Sequence, residues 1–175
     1  LARERRDTDG DWLGIRRPAL GEMLLAELPA YRRRALHNAL AEALAELPPG
    51  PWRDERLSRH RAYGAPPRAA PRALVGLGEW YESRSMHGSA LQALDRAVLD
   101  EHLDPLTATH GALARGEALL GLGRQLMAVE AFAAARRLAN DQGREDLVAR
   151  AILGLAEARF RHGDARRCTD LAAEC

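Results

Sequence analysis

LVGLGEWYESRSMHGSALQALDRA, residues Leu74–Ala97, carries two apolar stripes of helical spacing with a small, polar break between them. Leu74, Leu77, Gly78 and Tyr81 share one face of a first helix, and Ala90, Leu94 and Ala97 share one face of a second. The break Ser83–Ser89 is too polar to continue either stripe. Gly78 and Ala90 are small enough to let two backbones approach. The stretch predicts two helices folded back on each other, each with one side to bury.

The pattern returns twice. Ala112, Gly116, Leu119, Ala128, Phe132 and Ala135 repeat it with Gly123 at the turn. Ile152, Leu155, Ala156, Arg159, Cys168, Ala172 and Cys175 repeat it again with Gly163-Asp164 at the turn. The equivalent small residues Gly78, Gly116 and Ala156 are 38 and then 40 positions apart. A period of this length implies stacked units, because one hairpin cannot cover its own apolar face. Over Ala73–Cys175 the pattern resembles the tetratricopeptide repeat, whose period is about 34 residues. Leu74, Ala112 and Ile152 stand where that family has a first-helix Trp.

Composition agrees with helix. Hydrophobic residues make up 46%, charged ones 29% and aromatics 5%, and Ala, Leu and Arg dominate, which disfavours extensive sheet. All 26 residues counted as Lys or Arg are Arg. The net charge of +1 gives no general case for nucleic-acid or acidic-lipid binding. No apolar run reaches the roughly 18–20 residues that span a bilayer, and no secretory signal is visible. The chain begins at Leu1 and reads as a piece or processed form of a longer protein, with the cytoplasm the default location. Cys168 and Cys175 are seven apart on one helix, hence ~10 Å between Cα atoms, too far for a disulfide. Buried free thiols are expected there, and no metal site.

Before the repeats, Asp9-Gly10 signals a turn and Trp12, Leu13 and Ile15 suit a short strand, so Leu1–Arg17 reads as a β-hairpin. Pro18 opens a helix to Leu28, which Pro29 ends. Ala30–Leu47 is a helix with Leu36, Leu40, Ala43, Leu44 and Leu47 on one face, stopped by Pro48-Pro49-Gly50-Pro51. Trp52–Tyr63 forms a short helix anchored by Trp52 and Leu57, and GAPPRAAP (Gly64–Pro71) is the linker before the repeats.

These first residues carry a second resemblance. Arg16, Pro18, Leu20, Leu28, Pro29, Arg33, Arg34, Leu36, His37, Leu40, Ala41, Ala43 and Leu44 resemble a stretch that follows the nucleotide-binding domain in large signal-transduction ATPases of LuxR-type and kinase-linked regulators. The family often has His at Arg17, Arg at Gly21 and Tyr at Leu25. Tetratricopeptide-like repeats come next in those proteins. The resemblance implies a winged-helix-like remnant over 1–63 and about three hairpins over 64–175, the last one truncated. The fold class expected is all-α.

Catalysis is not expected. The chain has no G-x-x-x-x-G-K-[ST] loop, no H-E-x-x-H, no C-x-x-C and no G-x-S-x-G. Its six His residues (His37, His60, His87, His102, His110 and His162) are scattered, and His37 reads as a packing or capping residue beside its helix's apolar face. No cofactor or metal is implied. Arg32, Arg33 and Arg34 could touch a nucleic-acid backbone, but Glu42, Glu46 and Asp7–Asp11 surround them, and nucleic acid is the less favoured partner.

The repeats hold the sharper pattern. Glu79, Glu117 and Glu157 each follow the small residue by one, and Arg72, His110 and Arg150 stand seven before those glutamates. Val75, Leu113 and Leu153 lie between the two rows. The tetratricopeptide resemblance places the glutamates on a concave groove, implying basic, apolar and acidic rows suited to a peptide or helix. Charge pairing along one helix accounts only for Glu157, with Arg161 four residues on and worth about 0.2–0.5 kcal/mol; Ser83 and Gly121 follow the other two. The function expected is protein–protein interaction and signal relay in a multidomain bacterial regulator. The partner would be a peptide, a protein or the parent's other domains, with homodimerisation through the truncated array a further expectation.

Overall fold

A computed structural model describes the backbone at residues 2–7, 10–15, 18–98 and 103–163, with side chains from residue 23 onward. The described residues are dominated by eight helices, the helical class that composition predicts. Ala2–Asp7 (β1) and Gly10–Ile15 (β2) pair antiparallel, Ala2 opposite Ile15. Helix α1 (Pro18–Glu27) packs against β2. Then follow α2 (Ala30–Ala45), α3 (Pro51–Gly64), α4 (Ala70–Glu82), α5 (His87–Ala97), α6 (Pro105–Gly121), α7 (Gln125–Asp141) and α8 (Glu145–His162). Cys168, Ala172 and Cys175, expected on the third hairpin's second helix, lie outside the described residues.

The helix ends follow from their residues. Asp104 caps α6, accepting from the Thr107 N–H at 2.9 Å, with Pro105 in the first turn. Helix α8 starts with Glu145 and Asp146 and ends with Arg159, Arg161 and His162, charges that complement the helix dipole at both ends. The turns after α4, α6 and α8 share one geometry. Ser85, Gly123 and Gly163 each follow the unit's small residue by seven, and all have positive φ, at 56°, 70° and 91°.

Packing follows the period. Helix α4 pairs with α5 and α6 with α7, while α6 also lies on α4, and α8 on both α7 and α6. A Cβ at Gly78 would strike Leu94, and one at Gly116 would meet the Phe132 ring at 2.7 Å. Leu94 and Phe132 are themselves 38 apart, so the two hairpins close over equivalent glycines in equivalent surroundings. Phe132 serves a second neighbour as well, because a Cβ at Gly154 on α8 would run into the same ring. One core runs from Ala62 on α3 through to Ala158 on α8. Thr109, the one buried polar residue among those described, is satisfied: its hydroxyl donates to Pro105 O and accepts from Gln142 Nε2.

Two sequence expectations shift around α2 and α3. Of the predicted apolar face of α2 only Leu44 is buried. Ala41 and Leu44 pack with Leu57, whereas Leu36, Leu40 and Leu47 are exposed. The cause is how α3 docks. Arg53 donates from Nε to Leu44 O at 3.0 Å and from Nη2 to Ala45 O at 3.0 Å, covering carbonyls at the α2 C-terminus, while His60 meets His37. These contacts rotate the His37/Ala41/Leu44 side toward α3. Trp52 is exposed rather than an anchor, and Leu57 alone of the expected pair is buried. Packing also continues across residues 63–64, since Ala62 of α3 belongs to the core of the repeats.

Candidate protein-interaction surface

The acidic and basic rows meet each other across neighbouring units. Glu79 on α4 lies 3.4 Å from His110 Nδ1 on α6, and Glu117 on α6 accepts from Arg150 Nη2 on α8 at 2.6 Å. Each glutamate thus takes the basic residue of the following unit. Glu157 on α8 instead accepts from Arg161 Nη2 of its own helix at 2.6 Å. Arg72, at the start of the basic row, is exposed. It lies close enough to Asp104 to contribute weakly to holding that carboxyl low, after the Thr107 hydroxyl and N–H. All three pairs are partly solvated, so each is worth about 0.2–1 kcal/mol and acts mainly on register.

The apolar row behaves differently from the groove expectation. Val75 and Leu113 are core residues, 2% and 0% exposed, whereas Leu153 is 65% exposed. The reason is the stacking itself. A Cβ at Gly111 on α6 would come within 3.1 Å of Val75 Cγ2, so this position is covered by the next unit's first helix. Among the described residues no helix follows α8. The same holds one turn before and two turns after. Pro71 and Thr109 are buried while Ala149 is exposed; Leu120 is 7% exposed while Phe160 is 68% exposed. Ala149, Leu153 and Phe160 therefore form an open stripe on α8. Its signal in the sequence was the recurrence of the positions seven before, three before and four after the small residue.

Elsewhere, Arg32 and Arg33 are exposed, Arg34 is half-buried, and Arg32 Nε donates to Tyr31 Oη at 3.1 Å. His37 Nδ1 and His60 Nδ1 are 2.8 Å apart, so one donates and the other accepts, and the contact holds only while one of the two facing nitrogens is unprotonated. Burial, then His37 and nearby Arg59 and Arg56, pull His60 down to about 4; burial followed by Arg59, Arg96 and Arg33 lowers His37. With guanidinium groups on α2, α3 and α5 around them, the pair is a poor cation site. Among the described residues no cluster of three or more His, Cys, Asp or Glu is placed to hold a metal ion.

A cleft of about 470 Å³ opens between the start of α3 and the α4–α5 turn, walled by Trp52, Trp80, Arg84 and Met86. Arg84 stacks on Trp80 at 3.9 Å and Arg56 on Trp52 at 4.7 Å. Glu55 accepts from Tyr81 Oη at 2.7 Å, and burial together with that bond pushes the Tyr81 hydroxyl well above its usual range. The charged groups lining this cleft already have partners, Arg84 on Trp80, Glu55 on Tyr81 and Asp54 on Arg53. No helix among the described residues is long and apolar enough to cross a membrane. Compared with known proteins, the chain matches no family model, no curated protein and no solved structure.

Proposed function

We propose that this chain is a non-catalytic interaction module, a stack of tetratricopeptide-like helical hairpins behind a winged-helix-like N-terminal unit. It relays signals in a multidomain bacterial regulator by binding a protein or a neighbouring domain. The observation that carries the reading is the open α8 stripe. Leu153 and Phe160 present two large apolar side chains to solvent at positions that are buried on α6. Contiguous exposed apolar surface at the end of a stack is where a binding partner gains most. Binding there biases which arrangement of the surrounding domains is populated.

The experiment is a photo-crosslinking amino acid placed at residue 153 in cells, with adducts mapped by mass spectrometry. The reading expects a reproducible adduct to one protein segment, lost when Phe160→Asp is added. Equal yields from Leu126, an exposed apolar residue on α7, would contradict it. The second reading, nucleic-acid binding, rests on exposed Arg32 and Arg33 and expects steeply salt-dependent binding. Unchanged fluorescence anisotropy of a labelled duplex at low salt would dispose of it.

A further inference from the structure

The cleft between the start of α3 and the α4–α5 turn is separate from the α8 stripe, and its walls differ in chemistry. Two indoles, Trp52 and Trp80, and the Met86 thioether give it polarisable sides. The carboxylates of Asp54 and Glu55 line it as well, beside the Arg84 guanidinium. Its volume of about 470 Å³ falls within the ~300–1,000 Å³ common to small-ligand sites. An indole face attracts a cation through its ring quadrupole, and a carboxylate attracts one by charge. Both kinds of wall favour a ligand of the same sign.

A cation is already seated there. Arg84 holds its guanidinium 3.9 Å from the centre of the Trp80 ring, and Arg56, which is not a wall of the cleft, lies 4.7 Å from the Trp52 ring. Little retains Arg84. Its Nη1 donates to Trp80 O at 3.4 Å and to Ser83 Oγ at 3.0 Å, both exposed contacts with its own turn. The carboxylates are turned to others: Glu55 accepts from Tyr81 Oη and stands 3.7 Å from Arg59, and Asp54 takes Arg53 Nη1 at 2.9 Å. Arg53 is itself anchored on the α2 carbonyls. Because α4 ends at Glu82, Arg84 can leave its ring without unwinding a helix.

We infer that this cleft binds a guanidinium group from outside the chain, and that Arg84 is its internal stand-in, displaced from Trp80 when the ligand enters. A guanidinium is planar and weakly hydrated and stacks on aromatic faces, unlike the compact, strongly hydrated ammonium. Arg84 shows the pose. The incoming group takes its place on Trp80, and the rest of the ligand lies in the open volume beside Trp52 and Met86. Asp54 and Glu55 supply the counter-charge. An arginine side chain of a peptide and a free guanidino compound present this same chemistry.

The test is an NMR titration of the indole N–H signals of the 175-residue chain. The probes are N-acetylarginine amide, agmatine, and N-acetylcitrulline amide, the neutral isostere of the first. The two cations should shift the Trp52 and Trp80 signals saturably, and the tighter of them names the source, peptide or free compound. The citrulline probe should shift neither. Arg84→Ala should tighten binding about two- to fivefold, the effect of removing an exposed cation–π competitor, and Trp52→Ala should weaken it by a similar factor. Both residues are exposed, so circular dichroism should show unchanged helicity in each variant. Equal shifts from the citrulline probe overturn the proposal, and so does an Arg84→Ala variant that binds no tighter than the parent. An absence of shifts in both parent and Arg84→Ala does the same. None of these outcomes bears on the crosslink at residue 153, which tests a different surface.

Discussion

Ser85, in the turn between α4 and α5, holds the left-handed conformation that Gly123 holds between α6 and α7, at φ 56° and 70°. A side chain in that region is strained by contact of Cβ with the backbone, about 1–2 kcal/mol. Glycine relieves the strain but loses more freedom on folding, about 0.5–1 kcal/mol. Ser85→Gly should therefore stabilise the chain by about 0.5–1 kcal/mol, and Gly123→Ala should destabilise it by a similar amount. Urea unfolding midpoints check both; destabilisation by Ser85→Gly would mean that its turn is not the counterpart of the other two.

Phe132 is shared between Gly116 of its own hairpin and Gly154 of the next. Leu94, its smaller counterpart, is followed by a unit in which the position equivalent to Gly154 is Ala114. A large ring with a glycine and a smaller side chain with an alanine are two solutions of one packing problem. Gly154→Ala should cost about 1–3 kcal/mol by overpacking. Adding Phe132→Leu should recover part of that loss, giving a favourable coupling on the order of 1 kcal/mol in a double-mutant cycle. Simple additivity would show that the two residues do not share the space.

The His37–His60 contact makes stability depend on pH. Both histidines have folded-state values below the ordinary 6.5, His60 at about 4. The unfolded chain thus binds more protons between those values, and stability rises with pH across that window. It should fall as pH drops from about 6.5 toward 4. Solvent screening of these half-exposed rings limits the effect to on the order of 1 kcal/mol. His60→Gln should flatten the profile of urea midpoints measured at pH 4.5 and 7; a profile as steep as the parent's would place the titration elsewhere.

The Glu117–Arg150 pair should contribute little energy, about 0.2–1 kcal/mol, because both side chains are well exposed. Arg150→Ala and Glu117→Ala should each lower stability only slightly, with an effect that shrinks as salt is added. A loss of several kcal/mol would mean that the pair is buried.

Much of the stack was legible because its signals are local and repeated. The equivalence of Gly78 and Gly116, and the helix boundaries, follow from apolar spacing and turn residues. Pairing of Glu79 with His110 and of Glu117 with Arg150 was less legible. Spacing marks the residues as rows, but their separation runs across units, and spacing alone does not say whether two rows face a ligand or each other. Spacing puts Val75 and Leu113 on an open groove for the same reason, since covering them depends on how the next helix docks. On α2, apolar spacing favoured the leucine face. What turned the helix was polar: Arg53 on the final carbonyls and His60 on His37, contacts between elements that no single-helix pattern records.

Leu113 and Leu153 occupy the same place in successive units, and the account holds that only the following helix makes them unequal. The direct measurement is the urea unfolding free energy of Leu113→Ala and Leu153→Ala, each against the parent chain. The account predicts a loss of about 2–5 kcal/mol for Leu113→Ala and less than about 0.5 kcal/mol for Leu153→Ala at concentrations where the chain is monomeric. Equal losses at the two positions would contradict it.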